Sequence, residues 1–179
     1  MIKKLLLGLV AIVAIILVVA SFQSDAMNVS RSAIIAAPPE AAFKVVNDLR
    51  QWDAWSPWSK LDPAMKKTLE GPAEGKGAIY RWSGNNEVGE GSTTLVESKP
   101  NEKVEMKLEF IRPFAGISDV QFTFAPEGTG TKVTWSMQST KNFFMKVMGL
   151  FMNCEDMCGD QFSEGLENLR KVVESAPKA

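Results

Sequence analysis

Between Leu5 and Phe22 the chain is almost unbroken apolar sequence without a charge, and beyond it the hydrophobic positions alternate between a two-residue and a helical period. The opening run covers about 18 residues, the lower end of what spans a bilayer, and Lys3 and Lys4 precede it. A secretory signal is the rival reading, with small-residue cleavage sites at Val18-Val19-Ala20 or Ser24-Asp25-Ala26. Signal cores usually run only about 7–15 residues, so the length favours an uncleaved anchor. Under either reading the remainder is exported. The two lysines stay cytoplasmic and the bulk of the chain faces the periplasm or the exterior.

Past the anchor, strands are expected at residues 28–35, 65–70, 78–83 and 90–98. The clearest two-residue period follows, where Val104, Met106, Leu108 and Phe110 alternate with Glu105, Lys107 and Glu109. Val120, Phe122 and Phe124 repeat it, as do Val133, Trp135 and Met137. Such alternation predicts antiparallel strands with one face buried and one solvated. The turn at residues 126–130 joins the last two strands as a hairpin. Pro38 and Pro39 end the first strand, and Pro39 can open a helix because its missing N–H lies at an end that needs no partner. Ala42, Phe43, Val46 and Leu49 then form one helical stripe over residues 39–49. From Asn142 to about Val173 the period is helical again, and one long helix is expected. Its stripe is Phe144, Val147, Phe151, Cys154, Cys158, Phe162, Gly165, Leu169 and Val172.

Two local runs stand out: I-x-A-P-x-E-x-x-F within residues 34–43 and W-x-x-W-S-P-W at residues 52–58. Together with the carboxy-terminal helix, they resemble the START-like (SRPBCC) superfamily, most closely its polyketide cyclase/dehydrase-like branch. The resemblance runs from Met27 to Val173. It implies an α+β helix-grip fold: a curved antiparallel sheet of about seven strands around a long carboxy-terminal helix, with an apolar cavity between them. Here one amino-terminal transmembrane helix would precede that fold. The expected division is residues 1–26 as anchor or signal segment with a short tether, and 27–179 as the START-like domain. These motifs report fold and not reaction, since the superfold carries lipid carriers, cyclases, hydrolases and co-chaperones.

Charge narrows the field further. The chain has 20 basic and 21 acidic residues; Lys3 and Lys4 are the only charges through Phe22, so the rest holds 18 against 21, a net of −3. Such a domain is not expected to bind nucleic acid, nor to be drawn strongly to anionic lipid. Histidine is absent, which excludes Ser-His-Asp and Cys-His devices and His-based metal sites. The glycines at 71, 75, 77, 84, 89 and 91 fall between strands, not before a helix, so they read as turns and bulges instead of a phosphate loop. Cys154 and Cys158 stand four apart. Two ligands are too few for structural zinc, and the pair reads as small buried residues, with oxidation the alternative. Neither a metal nor a cofactor is expected.

Among ionisable candidates for a pocket are Arg81, Glu87, Glu97 and Arg112. Tyr80 and Trp82 share one strand face and Arg81 takes the other. Arg81 would either meet a ligand carboxylate or phosphate, or pair outward with a strand-four carboxylate, which is the favoured reading. The five tryptophans either stack on a ligand or fill the core. Met145, Met148, Met152 and Met157, with Phe143, Phe144 and Phe151, would make an adaptable apolar wall, a bilayer contact or plain core. The candidate ligand-binding set is Trp55, Trp58, Tyr80, Arg81, Trp82, Met106, Leu108, Phe110, Phe122, Trp135, Phe144, Met148 and Phe151, and no catalytic residue is assigned. The expected function is a membrane-anchored monomer binding a hydrophobic small molecule or lipid. One alternative is an enzyme resembling the polyketide cyclases, with Arg81, Tyr80 or Glu97 steering cyclisation or dehydration. The other is a co-chaperone-like interaction module.

Overall fold

The segments of two-residue period pair into one antiparallel sheet. A computed structural model describes residues 2–176; residues 177–179 of the expected domain and the Cys154 side chain lie outside the described residues. In chain order come α1 (Ile2–Ser21), β1 (Ala26–Ile35) and α2 (Pro39–Asn47), then 3-10 turns at Leu49–Ala54 and Pro57–Lys60. The strands β2 (Lys66–Glu70), β3 (Ile79–Ser83), β4 (Glu90–Lys99), β5 (Lys103–Arg112), β6 (Gly116–Glu127) and β7 (Gly130–Thr140) follow. Two helices close the chain, α3 (Phe143–Met148) and α4 (Cys154–Ser175). The sheet order is β1-β7-β6-β5-β4-β3-β2. Register shifts at Glu90/Gly91 and Leu95/Glu97 in β4 bend the sheet.

Alternation assigns the two faces. Val104, Met106, Val120, Phe122, Phe124, Val133, Trp135 and Met137 are buried on the concave face. Outward, the polar partners pair with one another: Lys107 with Asp119 at 2.5 Å, and Gln121 Nε2 donating to Glu105 at 2.9 Å. On the concave side, α4 buries Phe162, Leu166, Leu169 and Val173, one stripe at helical spacing. The chain is thus a helix-grip α+β fold with an amino-terminal apolar helix.

The carboxy-terminal helix departs from expectation because it breaks after Met148. Asn142 caps α3, its side chain accepting from Met145 N at 2.8 Å. Gly149 closes α3, and Asn153 starts α4 by accepting from Asp156 N at 3.3 Å. Two asparagine caps and a glycine outbid continuity here, since asparagine bonds the backbone more readily at a helix start than inside one. The apolar stripe is therefore split. Phe162 and Leu169 face the core, whereas Phe144 and Phe151 are exposed. The tryptophan-rich segment falls in two 3-10 turns. Asp48 fixes the first, accepting from Arg50 N and from the Arg50 side-chain Nε and Nη2 at 2.7 and 2.8 Å.

At the other terminus, α1 projects with Ala20 as its buried residue. Its 20 residues make about 30 Å, the thickness of a hydrocarbon core. By length and composition α1 is a candidate membrane span or signal anchor.

Candidate functional site

Tyr80 and Trp82 alternate with Arg81 along β3, so both rings fall on the concave face. Trp82 stands across the ladder from Gly91. A Cβ added to Gly91 would come within 2.7 Å of the Trp82 ring, so only glycine lets that indole lie against β4. The ring is further held by Nε1 donating to the Val88 carbonyl at 3.0 Å. Opposite it, the first 3-10 turn presents Trp52, whose Nε1 donates to the Val46 carbonyl at 2.9 Å. The second turn presents Trp58, edge-on to Trp135 at 5.8 Å and to Phe162 at 6.5 Å.

Between these rings lies a cavity of about 220 Å³. Its walls include Trp52, Trp58, Tyr80, Trp82, Met106, Leu108, Phe110, Val120, Trp135, Met137 and Phe162. The polar contributions are Ser56, Thr93, Cys158 and, exposed at the rim, Glu87. Burial, aided by the Asp53 charge, pushes the Tyr80 phenol well above its ordinary value. Burial also pushes the Cys158 thiol up to about 11, against the opposing charge of Arg31. Both groups are therefore neutral at neutral pH. A wall of this kind accepts apolar matter and offers a few hydrogen-bonding groups, the usual make-up of a small-molecule site. Among the described residues, no group of three His, Cys, Asp or Glu side chains is placed to hold a metal ion.

Of the residues singled out in the sequence, Trp58, Tyr80, Trp82, Met106, Leu108, Phe110 and Trp135 come together in this lining. Trp55 and Phe122 sit behind it in the core, edge-on at 5.9 Å. Arg81 points to the other face and pairs with Glu70 of β2 at 2.9 Å, not with a strand-four carboxylate, because Glu70 stands diagonal to it across the β2–β3 ladder while Glu90 of β4 is taken by Arg112. Glu97 pairs with Lys103 at 3.1 Å and Arg112 with Glu90 at 2.9 Å. Phe144, Met148 and Phe151 stay outside the lining, since the break after Met148 carries α3 away from α4. The lining also holds Trp52, Ser56, Met65, Val88, Thr93, Val120, Met137, Cys158 and Phe162. Several of these had a signal. Met137 and Val120 share the face of Trp135 and Phe122, and Cys158 and Phe162 share the helical stripe.

Comparison with known proteins agrees with the fold. The family described as polyketide cyclase / dehydrase and lipid transport matches residues 26–174. Among solved structures, protein CV1439 from Chromobacterium violaceum is similar at 15% identity and a TM-score of 0.61, covering 84% of this chain and 99% of its own. Protein MLL2253 from Mesorhizobium loti gives 16%, 0.62, 84% and 99% in the same terms. The Aha1 dimer from Colwellia psychrerythraea gives 15%, 0.59, 84% and 98%. At these identities the likeness is one of fold. No curated protein matches the chain.

Proposed function

The chain belongs to the polyketide cyclase/dehydrase and lipid transport family, and on that premise we propose that it holds an apolar molecule non-covalently in this cavity while α1 keeps it at a membrane. The observation that carries the reading is the neutral, aromatic-walled space between the sheet and α4. Its volume of about 220 Å³ exceeds the roughly 150 Å³ of an apolar cavity known to take up benzene. It falls short of the roughly 300–1,000 Å³ of drug-sized sites. A fused-ring compound or a single acyl chain suits that space, and a two-chain lipid does not. The lining supplies hydroxyls, a phenol and a thiol that stay protonated, and one rim carboxylate. This set can orient a ligand, and its single carboxylate stands at the rim without a second group that titrates near neutral pH inside the space, which favours binding over turnover. On the same reading, the lysines at the start of α1 favour a cytoplasmic amino terminus and a domain on the periplasmic or outer side.

The test is titration of detergent-purified, delipidated full-length protein with a naphthalene-type fluorophore and a fluorescent single-chain fatty acid. Saturable binding at micromolar concentration, abolished when Leu108→Trp fills the space, is expected. Wild-type protein that takes up neither probe overturns the reading.

A further inference from the structure

The anchor end of the sheet carries an apolar surface separate from the cavity. Pairing of Ala26 with Thr140, and of Phe110 with Gly116, brings the start of β1, the end of β7, the end of β5 and the start of β6 to one end. Around that end, Ile111, Phe114, Ile117, Phe143, Phe144 and Phe151 are each 50–68% exposed. The two segments that carry them touch, with the Phe114 and Phe144 rings 4.9 Å apart. Of the other exposed large apolar side chains, Ile34 lies at the opposite end of the sheet, paired with Lys132, and Leu69 lies on β2, the edge strand farthest from β1. Exposed apolar patches of this kind mark interaction sites.

What covers this surface follows from α1. Only residues 22–25 separate α1 from β1, at most about 14 Å of extended chain. The Lys146 ammonium of α3 pairs with Asp25 in that linker, and α1 packs against α3. Resting on the anchored reading of α1, we propose that this surface docks into the interfacial zone of the same bilayer, with Phe114 and Phe144 as its deepest side chains. The docking is apolar and not electrostatic, because Lys141 and Lys146 are already taken up by Glu155 and Asp25. Phe110 belongs to both the cavity wall and the strand end next to the patch.

The test places a bimane fluorophore on full-length protein in phosphatidylcholine vesicles whose acyl chains carry nitroxide quenchers. Labels are attached at single cysteines replacing Phe114, Phe144, Leu69 or Val10, with Cys154→Ser and Cys158→Ser as background. The labels at 114 and 144 should be quenched severalfold more than the label at 69, with little change when anionic lipid is added. Using two separate segments keeps the test valid if one variant misfolds. Quenching at 10 with labels at 114 and 144 behaving like 69 overturns docking and leaves the anchor standing. Failure of the chain to float with the vesicles overturns both. Concentration-dependent energy transfer between copies without lipid quenching makes the surface a dimer face, and docking falls.

Discussion

Trp135 lies flat on Phe162, with ring centroids 4.1 Å apart and planes within 7° of parallel. That stack joins β7 to α4 and forms one wall of the cavity. Gly165, one turn along α4, leaves the space: a Cβ there would come within 2.7 Å of the Trp135 ring. Sheet and helix are therefore locked at the site and not only at its periphery.

Removing Phe162 should accordingly be costly. Phe162→Ala leaves a buried void and is expected to lose about 3–5 kcal/mol, a large share of the roughly 5–15 kcal/mol of an ordinary domain. Urea unfolding followed by tryptophan emission measures it. A loss below about 1 kcal/mol, typical of an unremarkable site, would mean that α4 is not gripped at this stack.

Gly91→Ala tests the seat of Trp82. The added methyl meets the indole and also the Glu109 carbonyl, at 2.7 and 2.3 Å. Overpacking of this kind costs about 1–3 kcal/mol, and displacement of Trp82 should weaken probe binding as well. Gly116→Ala meets nothing within 4 Å and serves as the neutral comparison. Equal probe affinity in the two variants would show that Trp82 does not shape the cavity.

Acid sensitivity should trace to Asp48. The hydrogen bond from the Arg50 side chain holds its carboxyl below the ordinary value, with Gln51 and the Arg50 N–H adding and burial opposing. A lowered folded pKa means that the unfolded chain takes the proton first. The contribution is complete above the ordinary carboxylate value of about 4 and is lost as pH falls through the folded value. Asp48→Asn should flatten the acid limb of a stability-against-pH curve. At neutral pH it should cost no more than about 1 kcal/mol, because asparagine caps about as well as aspartate and only the charge on a partly exposed pair with Arg50 is lost. Acid limbs that superimpose would remove Asp48 from the account.

Much of this architecture could be read from the residues. Period-two runs such as 104–110 become strands because one face must be buried, and that constraint is local in sequence. The break after Met148 was less visible, since apolar periodicity carries on through Asn142, Gly149 and Asn153 while the caps override it. Phe144 and Phe151 join the candidate site through that stripe and Met148 through the methionine-rich wall, and the break puts all three outside the lining. Phe162 and Met137 show the opposite failing. Their burial was implied by period, but whether a buried residue faces a void or its neighbours depends on three-dimensional packing. Arg81 stands in the candidate binding set, yet it is absent from the lining and pairs outward with Glu70, a partner set by strand pairing, which periodicity does not encode.

Cys158 offers a chemical reporter of occupancy. Burial raises its thiol from an ordinary value of 9.0 to about 11, so the reactive thiolate is scarcer at neutral pH by on the order of 10- to 100-fold. In a Cys154→Ser background, iodoacetamide should modify Cys158 that much more slowly than a free thiol, with the rate climbing towards pH 11. The sign for stability is the reverse of that for Asp48. Here the folded state holds the proton more tightly, so stability falls as pH rises from about 9 through 11. A ligand filling the cavity should slow the modification further, because Cys158 is part of the wall. Rapid modification at neutral pH, unchanged by saturating probe, would place that thiol outside the bound molecule's reach and remove Cys158 from the site.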